Sequence, residues 1–255
     1  MKVIIFANQK GGVGKTTSCR ELGLYFGSIG KKLLFIDADP QGNLTNGLIE
    51  NDNKGGLFDA LTGADYKFKK IRDNIYILSG DNRLTNLSKS LVGEIDAYTR
   101  LKTILEEDKF KIFEYIFIDS RPAFDTLTIN GLTAATDVII PMSAAEYTLQ
   151  GTNDLLESIA KVKKSFNPDI NITGVIINAY DSRPVITREI REEIKEVFKG
   201  KVFNTALSKT IKYEEAIAGK AGIIETDNEK VREEVILLGN ELLARVSPVT
   251  INQEV

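Results

Sequence analysis

Short apolar runs alternate with longer amphipathic stretches along this 255-residue chain. The runs at 3–7, 32–36, 74–78, 115–118, 138–141 and 172–178 are rich in Ile, Val, Leu and Phe and lack polar alternation. That is the pattern of parallel strands covered by helices on both faces. A shorter run at 202–204 adds a further candidate strand. Helical periodicity marks 16–30, closed by Gly30, and then 100–107, 149–165, 187–198 and 228–245. Strands interleaved with helices predict an α/β fold with a mostly parallel, twisted sheet flanked by helices. The segment 43–74, punctuated by Gly55, Gly56 and Gly63, has no clear period and reads as a loop-rich excursion. No repeat, low-complexity tract or compositional break divides the chain, so residues 1–255 are expected to form one domain.

Composition removes whole classes of chemistry. Histidine is absent, which excludes His-based acid–base catalysis, Ser-His-Asp triads and His-ligated zinc. Cys19 is the sole cysteine, so no intramolecular disulfide forms and nothing asks for an oxidising compartment. Thirty-three Lys+Arg against 36 Asp+Glu leave a net charge of −3, which argues against a wholesale polyanion binder but not against a local basic patch. The N-terminal apolar run is too short for a signal segment, and no stretch approaches the ~18 apolar residues of a membrane span. A cytoplasmic location is expected.

The first candidate strand runs into Lys10-Gly11-Gly12-Val13-Gly14-Lys15-Thr16-Thr17, followed by the first candidate helix. This departs from G-x-x-x-x-G-K-[ST] at its first glycine, yet it meets the physical needs of a phosphate loop. Glycines let successive N–H groups curl toward phosphate oxygens, and the helix N-terminus adds its positive dipole end. Lys15 is placed to reach the β- and γ-phosphates and the Thr16 hydroxyl to bind Mg²⁺. The plainer alternative is a glycine-rich turn without a ligand.

Two further strands end in carboxylates. Phe35-Ile36-Asp37-Ala38-Asp39-Pro40-Gln41-Gly42 places Asp37 and Asp39 where open α/β sheets bind ligands, two residues apart and expected to point the same way. Asp39 is the candidate for orienting a hydrolytic water and for a metal-bound water; a capped strand-to-helix turn is the alternative. Tyr115-Ile116-Phe117-Ile118-Asp119 has the form of a Walker B strand, with Asp119 reaching Mg²⁺ directly or through water.

With these residues the chain resembles the deviant Walker A class of P-loop NTPases, ParA/Soj partition ATPases and MinD among them, whose loop reads K-G-G-x-G-K-[ST]. Asp37-Ala38-Asp39-Pro40-Gln41-Gly42-Asn43 is similar to the ParA switch I. Asn130-Gly131-Leu132, the stretch from Ala134 to Pro141, Glu146 to Gly151 and Gly174 to Arg183 extend the resemblance over nearly the whole chain, closer to ParA/Soj than to MinD. The resemblance implies a slow Mg²⁺-ATPase in which Lys10 crosses an ATP-sandwich homodimer to the partner's nucleotide. It also implies catalytic roles for Lys10, Lys15, Asp39 and Asp119, with Mg²⁺ held by Thr16, Asp119 and, through water, Asp39. Nucleotide contacts are expected from 10–17, Asn178, Ser208 and Thr210. The family's D-x-P-P is broken by Arg121, which either alters turnover or makes a surface ion pair, the second being favoured.

The base-holding I-P-R-N segment of the family appears as Leu207-Ser208-Lys209-Thr210, without its Pro and Asn; no N-K-x-D motif selects guanine, so ATP is expected. ParA proteins bind DNA non-specifically as ATP dimers, and here Lys209, Lys212, Arg183, Lys230 and Arg232 are the candidate contacts, ordinary helix-surface charge being the alternative. A ParB-like centromere-binding partner is expected to speed turnover, with nucleoid association following. The final helix is expected to stop at Pro248 with no cation cluster after it, which disfavours membrane docking. Plasmid or chromosome partition is the leading expectation. Positioning of a protein assembly such as a chemotaxis array, and an ATP-holding scaffold with little hydrolysis, are the alternatives.

Overall fold

The computed structural model describes residues 1–181 and 183–247. The expected helix stop at Pro248 and the tail after it lie outside the described residues. Seven strands form one sheet: β1 (Lys2–Phe6), β2 (Leu33–Asp37), β3 (Lys69–Arg72), β4 (Ile75–Leu78), β5 (Tyr115–Asp119), β6 (Asp137–Ser143) and β7 (Asn171–Asn178). Their order across the sheet is β3-β4-β2-β5-β1-β6-β7, and every pairing is parallel except β3 with β4. Ten helices accompany them among the described residues: α1 (Lys15–Ser28), α2 (Asn43–Asn46), α3 (Leu57–Leu61), α4 (Leu84–Ser90), α5 (Arg100–Leu105), α6 (Thr126–Ala134), α7 (Leu149–Ser165), α8 (Val185–Phe198), α9 (Lys212–Ala218) and α10 (Glu229–Val246).

Side chains alternate across the pleat and so build a core on each face. Ile5, Leu34, Ile36, Ile116, Ile118, Val138 and Ile140 face one helical layer with Leu101, Leu127, Leu155 and Ile194. Ile4, Phe6, Phe35, Phe117, Ile139 and Ile176 face the other, with residues of α1, α9 and α10. Under α1 the rings of Phe6, Phe26 and Phe117 stack with centroids 5.2 to 5.3 Å apart. Each such side chain contributes about 1.5–3 kcal/mol of burial.

The strand register positions the chemistry. Phe6 and Asp37 both pair with Asp119, so β1, β2 and β5 end level and release their loops at one place. That is the carboxyl edge of a parallel sheet, where such folds gather ligands.

The apolar runs correspond to strands, with three differences. The run at 202–204 is not a strand: Val202 makes a single bridge to Val175, and the chain then leaves the sheet as Glu241 takes the Asn204 and Thr205 amides. The excursion at 43–74 holds α2, α3 and the edge strand β3. β3 escaped sequence reading because its Lys69-Lys70-Ile71-Arg72 is mostly charged, the composition that blunts sheet edges. Helices α4, α6 and α9 were also missed; the start of α6 is fixed by Asp125, whose carboxylate accepts the Thr128 amide at 3.2 Å. Among the described residues no helix is long and apolar enough to cross a membrane.

Candidate nucleotide site

In the loop between β1 and α1 the Lys10 amide donates to Asn8 Oδ1 at 3.1 Å, and among the described residues no side chain accepts the amides from Gly11 to Thr17. Gly14 caps α1 without a side-chain acceptor, no acidic residue lies in the first turn, and the first i→i−4 bond is Ser18 N–H to Gly14 O. Open N–H groups at a helix N-terminus make an anion site. Gly12 and Gly14 sit at φ +73° and +84°. At Gly14 a Cβ would also lie 2.7 Å from Asn178 Nδ2, so only glycine fits there. Asn178, at the end of β7, donates to Val13 O at 2.9 Å and accepts from the Ser18 hydroxyl at 3.0 Å. It braces the loop from behind.

Lys15 is buried, and its ammonium donates to Lys10 O at 2.8 Å, closing the loop over itself. Burial draws its pKa down, against the pull of Asp119 and Asp39. The Thr16 hydroxyl donates to Asp119 Oδ2 at 2.7 Å, while Asp119 Oδ1 is buried with no hydrogen-bond partner. Burial first, and then the charge of Asp37, hold the Asp119 carboxyl well above the usual range. An orphaned buried carboxylate oxygen beside a threonine hydroxyl suits a hard cation. Among the described residues no group of three or more His, Cys, Asp or Glu is placed to hold a metal ion.

Asp37 and Asp39 do not behave as a like-directed pair. β2 ends at Asp37, whose carboxylate is occupied by the Thr45 amide (2.8 Å) and hydroxyl (2.7 Å) and the Asp39 amide (3.2 Å). Full burial raises its pKa to about 6. Among the described residues Asp39 accepts only the Gln41 amide, at Oδ1 and 3.0 Å, and keeps Oδ2 for another donor.

Lys10 lies back on its own chain. Its ammonium bonds to Glu146 O and, at 3.0 Å, to Thr148 Oγ1, the residue that caps α7. Gly151 leaves room for this path, since a Cβ there would stand 3.0 Å from Lys10 Cε. Arg121 pairs with Asp125 at 2.8 Å, and Ser88 holds the same carboxylate oxygen at 2.6 Å.

Next to the loop is a hollow of about 220 Å³, bounded by Gly14 and Thr17 on one side, Ser208, Thr210, Tyr213 and Glu214 on the other, and Asn178 between. Ser208 gives its amide and hydroxyl to Glu234, at 2.9 and 2.5 Å. Thr210 Oγ1 accepts the Lys212 amide at 3.3 Å. Tyr213 and Glu214 were missed by sequence reading; their signal was position, one turn beyond the segment that replaces I-P-R-N.

The candidate DNA contacts are split. Arg183 bonds Asp181 at 2.7 Å, and Lys209 faces the same carboxylate. Lys212 pairs with Glu215 at 2.7 Å. Lys230 and Arg232 are on the first turns of α10, where Arg232 lines a separate groove with Tyr25, Ile29 and Arg72.

A family model described as "AAA domain" matches residues 1–172. The chromosome-partitioning ATPase Soj of Treponema pallidum is 37% identical over 221 residues, covering 84% of this chain and 86% of that protein. The sporulation initiation inhibitor protein Soj of Bacillus subtilis is 36% identical over 250 residues, covering 95% and 98%. Among solved structures, cobyrinic acid a,c-diamide synthase of Mycobacterium smegmatis, bound to an ATP analogue and magnesium, superposes with a TM-score of 0.83 at 26% identity, covering 95% of this chain and 94% of that one.

Proposed function

The chain belongs to the ParA/Soj family of partition ATPases, whose ligands are ATP and Mg²⁺, and from that premise we propose that it is a nucleotide-timed carrier that segregates plasmid or chromosome DNA. The observation that carries this reading is the meeting, at one sheet edge, of open loop amides, the Lys15 ammonium and the Thr16–Asp119 pair with its unsatisfied oxygen. Thr16 and Asp119 would hold Mg²⁺. Held there, it would supply positive charge to offset that of the phosphates. Loop amides 11–17 and Lys15 cradle the triphosphate, the hollow beside Thr17 takes the base, and Asp39 Oδ2 accepts a proton of the attacking water and aims it.

In this reading Lys10 leaves Glu146 and Thr148 to reach the nucleotide of a second copy, making an ATP-dependent dimer. The dimer binds DNA without sequence preference through Lys209 and Arg183, with Lys212, Lys230 and Arg232 at its margins. Hydrolysis, accelerated by a ParB-like partner, releases it into the cytoplasm from the nucleoid. A second reading, positioning of a protein assembly, is favoured by one feature: two of the five candidate DNA cations, Arg183 and Lys212, already have acidic partners.

Sedimentation with a non-hydrolysable ATP analogue, with and without random-sequence duplex, tests the reading. Wild type should dimerise with the analogue and co-sediment with duplex. Lys10→Ala should bind the analogue yet remain monomeric; a variant that still dimerises refutes the sandwich. Dimerisation without duplex binding selects the second reading.

A further inference from the structure

Helix α1 is buried from Ser18 to Gly27, and it carries two adjacent charges, Arg20 and Glu21, each fully enclosed. The nucleotide chemistry uses neither. Ion pairs this deep are weak sources of stability, because desolvation offsets their attraction. What distinguishes this pair is what it touches. Arg20 bonds Glu21 and also donates to Gly47 O at 3.3 Å, at the end of α2, and to Ala221 O at 2.6 Å, just past α9. Glu21 Oε2 accepts the Ile223 amide at 2.8 Å. A methyl group on Gly47 would stand 3.4 Å from Ile217 Cγ2 of α9 and 3.5 Å from Arg20 Nε, so α2 rests on both.

Each end of this clamp reaches the site. The first turn of α9 supplies Tyr213 and Glu214 to the hollow beside the phosphate loop. Helix α2 supplies Thr45, whose amide and hydroxyl hold Asp37, which in turn holds the Asp39 amide. Leu44 and Leu48 share one core with Tyr213 and Ala216. A shift of α9 is therefore passed to α2 through packed side chains and a buried guanidinium whose carbonyl acceptors follow the C-terminal ends of both helices, at Gly47 and Ala221.

We propose that Arg20 and Glu21 are positioning residues that make the setting of the Asp39 turn depend on whether the base hollow is filled. The inference rests on the hollow's being the base site, as proposed above. A triphosphate without its base would seat in the loop but leave α2 loose. The base, by fixing α9, draws α2 against Asp37.

Amide hydrogen exchange with Mg-ADP and with Mg-pyrophosphate separates these effects, because only one ligand carries a base. In wild type both should protect residues 11–17, and residues 43–49 should exchange about tenfold more slowly with ADP than with pyrophosphate. Arg20→Met combined with Glu21→Leu replaces the pair by apolar groups of similar size, a change that buried pairs tolerate. It should keep protection at 11–17 while the difference at 43–49 falls below about threefold. Arg20→Lys retains a charge beside Glu21 but not the fork that reaches two carbonyls, and should give an intermediate loss whether or not the double variant folds. A wild-type-sized difference in Arg20→Lys or the double variant overturns the inference, as does no difference in wild type. If ADP protects 11–17 alone, only the clamp falls; if it protects neither segment, the nucleotide reading falls with it.

Discussion

Two buried carboxylates with raised affinities for protons, Asp37 and Asp119, face each other across neighbouring strands. In the fold Asp37 holds its proton up to about pH 6, against an ordinary 3.8. Between those values the folded state binds more protons than the unfolded one, so acidification stabilises it. Metal-free protein should gain about 1 kcal/mol from Asp37 between pH 7 and pH 5, read from urea midpoints. Asp37→Asn should flatten that rise. The depressed carboxyls of Asp59 and Glu225 lose their contribution only at lower pH, outside this window. Mg²⁺ should bind more weakly over the same descent, because a proton competes for Asp119. At Gly14 a second residue-scale outcome is set by geometry: Gly14→Ala forces both a left-handed alanine and a clash with Asn178. Nucleotide binding by titration calorimetry should be lost, and adding Asn178→Ala should not restore it, since the positive φ remains.

Among the elements, α2 has four residues and no stability of its own. It is held by Thr45, whose hydroxyl donates to Asp37 and accepts the Gly80 amide at 3.0 Å. Thr45→Val keeps the shape and strands both partners, so unfolding free energy should drop by about 1–3 kcal/mol. Phosphate release should slow more than nucleotide binding weakens, because the Asp39 turn rather than the loop is loosened. The elements that carry this chemistry differ in how plainly the sequence announces them. The phosphate loop, β2 with Asp37 and Asp39, and β5 with Asp119 are local patterns, each readable from its own ten residues. Helix α2 is not, because its reason for existing is a contact with Asp37 and another with α9, distant in sequence. Arg20 and Glu21 were not singled out in the sequence, because their part depends on contacts with Gly47, Ala221 and Ile223, distant along the chain. The path of Lys10 to Glu146 and Thr148 needed the sheet to bring residues 136 and 138 positions apart together. Candidate strand 202–204 failed for a related reason: Phe203 packs on Arg245 and Gly174, and Val202 makes an isolated bridge without continuing a ladder.

For the molecule as a whole, the net charge of −3 leaves attraction for DNA to local patches. Arg183 is engaged by Asp181, and Lys212 by Glu215. The proposed dimer would then meet DNA with few unengaged cations, and log affinity against log salt should have a shallow slope of about −4, measured by fluorescence anisotropy on random duplex. Removing an acid should help: Asp181→Asn frees Arg183 and relieves Lys209, and should tighten duplex binding by about threefold or more at low salt. A weakened or unchanged affinity would place the DNA surface elsewhere. The borders of the sheet have a consequence for crowding. On one side β3 is four residues long and lined with Lys69, Lys70 and Arg72; on the other, the segment after α8 covers β7 through bonds of Val175 to Lys201 and Phe203, and of Ile177 to Leu207. The β7 flank is covered, and the β3 flank is short and cationic, which discourages edge-to-edge pairing. A crowded neighbour therefore finds little strand edge to extend, which works against hardening into fibrils.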